Sequence, residues 1–163
     1  MQTRLFESER EVEAYFILPL LEELGYEYED IAIGYPVEMF KGVQRTKTEA
    51  DFVVFNGTIR TKENALLVVE AKKSDKGVSG DHIGQARSYA QELFPAGYIV
   101  SNGQQVMVFQ LNRMLIPDDT VMDFDRSELN DKWSDLYNYA SKTAAIERKV
   151  WMDKRLSEMK AGI

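Results

Sequence analysis

The sequence predicts an α/β fold: a central mixed β-sheet of about four to six strands flanked by helices, with a helical C-terminal tail. Three observations carry this. Short apolar runs rich in Val, Leu, Ile and Phe occur at 49–55, 65–72, 97–101 and 105–111, each bounded by polar or glycine-containing turns. Segments with helical spacing flank them at 8–24, 81–93 and 127–159. The period of apolar residues therefore changes from helical to strand-like and back along the chain, which is the order expected of an α/β domain.

The elements follow in sequence. Ser8 is placed as an N-cap with Glu11 at the third helical position, opening a helix that runs to Leu24 and stops at Gly25, with Pro19 as an interruption or kink. Residues 26–40 hold aromatic and β-branched residues and supply one or two strands. The polar, basic stretch 41–49 reads as a loop or hairpin tip. Two acid-bearing strands come next, joined through Asn56-Gly57, then a lysine- and glycine-containing loop from Lys73 to Gly80. A helix covers Asp81 to Leu93, and the strands 97–101 and 105–111 are joined by Ser101-Asn102-Gly103-Gln104 as a tight turn. The tail is broken or bent near 142–146. The division expected is a domain over 1–126 and a helical extension over 127–163.

The chain has 163 residues, 44% of them hydrophobic and 29% charged, which fits one globular domain. It contains no cysteine, which excludes a disulfide framework and a zinc–thiolate site and fits a cytoplasmic protein. No apolar stretch approaches the roughly 18 residues of a membrane span, and the N-terminus is polar and acidic. There are no repeats and no low-complexity segments. The net charge is −7, but it is unevenly spread: residues 1–40 carry −8, residues 41–90 carry +3 and residues 91–163 carry −2. The positive segment can hold phosphates despite the acidic total. A solvated mixed-charge surface accounts for the same distribution.

The chemistry concentrates in that segment. Asp51 lies on the first acid-bearing strand, and Glu70 and Lys72 lie two apart on the second. Side chains alternate along a strand, so Glu70 and Lys72 share a face, roughly 7 Å apart at Cα. Charges at buried strand ends are paired or metal-bound. Two carboxylates and an amine converging there suggest a magnesium site with a lysine beside its water. In the first helix Val12, Phe16 and Leu20 form an inward stripe that Glu9 continues, with Glu13 at its border. The helix carboxylate is therefore Glu9 or Glu13, unless Glu9 only favours the positive helix N-terminus. In the second helix Ile83, Ala86, Ala90 and Leu93 face the sheet, while His82, Gln85 and Tyr89 share a neighbouring face. Such a Gln-x-x-x-Tyr spacing is common and more often structural, and a lone histidine is more often a surface residue than a catalyst.

Asp51 followed by Glu70-Ala71-Lys72 resembles the catalytic motif of the PD-(D/E)xK nuclease superfamily. Ser8-Glu9, Phe16 to Leu21 and Leu24-Gly25-Tyr26 resemble the opening helix of the N-terminal nuclease domain of type I restriction enzyme R subunits. Gln85-Ala86-Arg87-Ser88-Tyr89 is similar to the Gln-x-x-x-Tyr motif of that lineage. Tyr98 to Gly103 is similar to its later strand and turn, with Ser101 where threonine is more usual. Ala50 stands before Asp51 where proline is common, a departure the superfamily tolerates. The resemblance covers residues 8–111; each motif alone is weak, and five in this order are specific.

The resemblance implies a restriction-endonuclease-like fold and a Mg²⁺-dependent endodeoxyribonuclease, with Mn²⁺ as a substitute. Asp51, Glu70 and the Ala71 carbonyl are its expected metal ligands, with Glu9 binding or orienting a ligand, and Lys72 acts on the attacking water or the transition state. Gln85 and Tyr89 are expected to anchor the DNA backbone, with Lys47, Lys73, Lys76 and Arg87 as sequence-independent phosphate contacts. Expected partners are DNA and the methyltransferase and specificity subunits of a restriction complex, with no membrane. No Gly-x-x-x-x-Gly-Lys-Ser/Thr phosphate loop is present. The chain is thus the nuclease part of a longer, motor-containing protein or a stand-alone relative. Two other classes remain open: a nuclease-like DNA-binding or assembly module that does not cut, and a structural α/β domain whose acids are incidental.

Overall fold

The computed structural model describes residues 5–41, 44–73, 77–112 and 116–162, with the backbone alone described at 40, 41 and 44–47. Six strands form one mixed sheet in the order β1 to β6: β1 Ile31–Lys41, β2 Gln44–Phe55, β3 Ala65–Ala71, β4 Gly97–Ser101, β5 Gln105–Gln110 and β6 Asp119–Asp125. Every neighbouring pair is antiparallel except β3 and β4, which run parallel. Parallel neighbours need a crossover, and helix α3 (Gly80–Leu93) supplies it.

The sheet is covered on both faces. On one, the N-terminal helical run packs with helices α4 (Leu129–Ala140) and α5 (Lys142–Lys160) against Phe52, Val54, Leu67 and Ile99. On the other, Ala86, Tyr89, Ala90 and Leu93 of α3 pack on Val53, Phe55, Val68 and Tyr98. Tyr26 donates its hydroxyl proton to the Ala140 carbonyl (2.8 Å), and the Lys142 amide donates to the Leu24 carbonyl (3.0 Å), which stitches the C-terminal helices to the N-terminal ones. No helix among the described residues is long and apolar enough to cross a membrane.

The N-terminal helix is three pieces: α1 Glu9–Val12, a π-helical turn Glu13–Ile17 and α2 Leu18–Glu23. Ser8 caps it by accepting from the Glu11 amide. Proline lacks an amide proton, and its ring would meet the carbonyl four residues back. The widened turn just before Pro19 absorbs both problems without ending the helix.

Three local expectations differ. The stretch 41–49 is not mainly a loop: β1 reaches Lys41, and β2 begins at Gln44, because cross-strand pairing with β1 sustains a polar strand. β6 was not legible, since Asp119, Asp123 and Asp125 interrupt its apolar pattern and only one neighbour holds it; charges on an edge strand discourage pairing with other chains. The break between the last two helices falls at Ser141, which caps α5 by accepting from the Ala144 amide.

Candidate functional site

The site lies where β2 meets the C-terminal end of β3. Its position follows from a slip in the pleat. Phe52 and Val54 pack in one layer and Val53 and Phe55 in the other, yet Ala50 lies with Val53, an odd offset. Opposite the slip, Gly34 has φ +64°, a conformation that suits glycine and reverses the pleat of β1. The amide of Asp51 points to the Glu70 carboxylate (2.9 Å), and the Ala71 amide in turn donates to the Asp51 carboxylate (2.8 Å). The two acids are therefore locked together across the strands.

Glu70 is 2% exposed. Burial, and then the negative charge of Asp51, push its carboxyl up to about 8; the Asp51 amide and the Lys72 ammonium oppose this and do not prevail. Glu13, half-buried at the start of the π turn, is also raised, first by burial, then by Asp51 and by Glu9. Glu9 itself is exposed. Among the described residues no group of three or more His, Cys, Asp or Glu side chains is gathered as a metal-binding set. The donors of the Asp51–Glu70 pair are oxygens only, which suits a hard divalent cation, and a buried acid facing a like charge gains from one.

Lys72 follows β3 directly, its amide donating to the Ser101 carbonyl (2.9 Å). Its ammonium donates to Gln85 Oε1 (2.9 Å), Gln85 Nε2 donates to the Tyr89 hydroxyl (3.1 Å), and that hydroxyl lies 2.8 Å from Thr48 Oγ1 of β2. Gln85 is exposed, whereas Tyr89 is 1% exposed. Asp51, Glu70, Lys72, Gln85 and Tyr89 are thus brought to one end of the sheet.

The remaining sequence candidates lie differently. Arg87, two residues from Gln85 and so roughly 200° around the helix, pairs with Asp118 (2.9 Å), which also accepts from Tyr98. Lys73 is exposed. Lys76 and the side chain of Lys47 lie outside the described residues. His82 closes a reciprocal cap with Ser79 at the start of α3, both bonds 3.3 Å.

The description "type I restriction enzyme R protein N terminus" belongs to a family whose model matches residues 8–116. The chain belongs to this family. No curated protein matches it. Among solved structures it is similar to the fragment of a putative HsdR subunit of a type I restriction enzyme from Vibrio vulnificus, at 26% identity and TM-score 0.49 over 63% of this chain. It also aligns with the type IIG restriction endonuclease BpuSI at 22% identity and TM-score 0.39 over 87% of this chain. The chain spans 21% and 16% of those two chains. Within this R-protein domain, Thr48 belongs to no site motif and sits in the polar run expected to be a loop or hairpin tip. A Thr46-x-Thr48-x-Ala50 alternation in that run was the available signal of a strand.

Proposed function

We propose that this R-protein domain is a metal-dependent endonuclease that hydrolyses DNA phosphodiester bonds with Mg²⁺, or Mn²⁺ in its place. The observation that carries the reading is the Asp51–Glu70 pair: a buried carboxyl raised to about 8 beside a second acid, with an ammonium within its field. Asp51, Glu70 and the Ala71 carbonyl would hold the ion. Glu13 is the better placed helix acid for its outer sphere, with Glu9 at the margin. When bound, the ion lowers the pKa of a water and stabilises charge on the phosphate. Lys72, oriented by Gln85, holds a proton donor at the reacting water or the transition-state oxygens. Gln85 is open to the DNA backbone, whereas the Tyr89 hydroxyl is turned inward. Lys47, Lys73 and Lys76 would supply phosphate contacts, which makes binding salt-sensitive. In a complete R subunit the domain would act with methyltransferase and specificity subunits.

A second reading, a nuclease-like module that binds DNA without cutting, is favoured by the lack of a three-acid ligand set among the described residues. One experiment separates the two. Supercoiled plasmid is incubated with the chain in Mg²⁺, in Mn²⁺ and in EDTA, beside Lys72→Ala. Metal-dependent nicking that Lys72→Ala loses, at unchanged Mg²⁺ affinity by calorimetry, is the expected outcome. DNA retention without nicking in either metal overturns the catalytic reading.

A further inference from the structure

The hydrogen bonds around Lys72 form a chain whose direction starts from the donor-only ammonium. A lysine ammonium is a donor only, so Gln85 must present Oε1 to it, 2.9 Å away. The amide's Nε2 then faces Tyr89 and donates to its oxygen at 3.1 Å. The Tyr89 hydroxyl lies 2.8 Å from Thr48 Oγ1, where either oxygen can donate; since the Tyr89 oxygen already accepts from Gln85, Tyr89 as the donor gives its own proton a partner. Tyr89 is 1% exposed, so water competes poorly for that proton.

We propose that Thr48 is a positioning residue for Lys72: its hydroxyl oxygen takes the Tyr89 proton, fixes the Gln85 amide with Oε1 toward the ammonium, and so holds the lysine beside Asp51 and Glu70. The inference deepens the nuclease reading and rests on it for its activity arm. Thr48 sits on β2 opposite Val37 of β1, three residues before Asp51. The strand that carries one acid of the pair thereby also sets the lysine opposite it, through α3. Without the Thr48 oxygen the Tyr89 proton must turn elsewhere, the Tyr89 oxygen is no longer aimed at Gln85 Nε2, and the amide that faces the lysine is held at one end only.

The test uses Thr48→Val, which keeps the β-branched shape on a strand and removes only the hydroxyl. Nicking in Mg²⁺ should fall about tenfold, a change of about 1.4 kcal/mol in barrier, with the melting temperature and Mg²⁺ affinity unchanged. Thr48→Ser should restore it. Tyr89→Phe should lose a similar factor, and the double variant Thr48→Val/Tyr89→Phe should be no worse than either alone, because both interrupt one chain. A second readout needs no cleavage: in ¹⁵N-resolved NMR, Thr48→Val should move the Gln85 side-chain amide and the Lys72 ammonium signals. Wild-type nicking in Thr48→Val, additive losses in the double variant, or unmoved Gln85 and Lys72 signals each overturn the proposal. If the wild type does not nick but those signals move, the positioning role stands and only the nuclease reading falls.

Discussion

Two buried acids in this domain, Asp30 and Glu70, meet opposite fates. Asp30 is 0% exposed, yet it pairs with Lys142 (2.9 Å) and accepts from the amides of Glu27 and Gly57, both at 2.8 Å. Burial alone would raise its carboxyl, but the Lys142 bond and the two amides together hold it below its ordinary value. Glu70 has one backbone donor, a second carboxylate against it and Lys72 turned to Gln85, and its carboxyl rises to about 8. The Asp30 cluster joins β1, the turn at Gly57 and the start of α5, so its charge is spent on the fold. Glu70 has no such counter-charge bonded to it and keeps its proton to higher pH, which is why this pair, and not Asp30, is the one proposed to take a cation.

The contrast breaks most sharply under mutation. Asp51→Ala or Glu70→Ala should lower Mg²⁺-dependent plasmid nicking by at least about a hundredfold and largely remove Mg²⁺ binding in isothermal titration. Unchanged metal affinity in both variants would remove the site assignment. Asp30→Ala should leave Mg²⁺ affinity alone and instead destabilise the fold. Removing one partner of a buried ion pair costs about 3–5 kcal/mol, toward the lower end here because Lys142 is partly exposed. Calorimetry should show a melting temperature lower by roughly 10 °C.

The pH dependence separates the two acids by sign. Asp30, lowered in the folded state, contributes stability that is present at neutral pH and lost as pH falls below its ordinary 3.8. Glu70, raised from 4.5 to about 8, contributes stability that is full below 4.5 and lost as pH rises toward 8. Metal-free protein should therefore melt several degrees lower at pH 8.5 than at pH 5.5. Glu70→Gln, which keeps the shape and removes the ionisation, should flatten that slope and melt higher than wild type at pH 8.5. A wild-type slope retained in Glu70→Gln would assign the effect elsewhere. The smallest expected effect is rescue by the ion: Mg²⁺ at ten times its dissociation constant should add about 1.4 kcal/mol at pH 8.5. The gain should vanish in Glu70→Gln and persist in Asp30→Asn, as read from paired melting curves.

Much of this was written in local pattern. The Ser8 cap, the apolar strands, the crossover helix and the order Asp51, Glu70, Lys72 all depend on spacing along the chain, which a sequence displays directly. So did the family, through motifs that lie on those elements. Tertiary structure alone decided the rest, because each of these features is a partnership between distant segments. Asp30 reads as one more surface acid until Lys142 arrives from the C-terminal helices. Arg87 reads as a phosphate contact until Asp118 claims it. A regular wheel favours Glu9, on the inward stripe, over Glu13 at its border, and burial reverses the order: Glu9 lies in solvent, while Glu13, at the start of the π turn ahead of Pro19, is half-buried within the field of Asp51. Thr48 gains its place only when β2 pairs with β1 and α3 crosses beneath it. Sequence spacing specifies which groups can share an element's face; which charge finds a counter-charge is fixed only when the layers close.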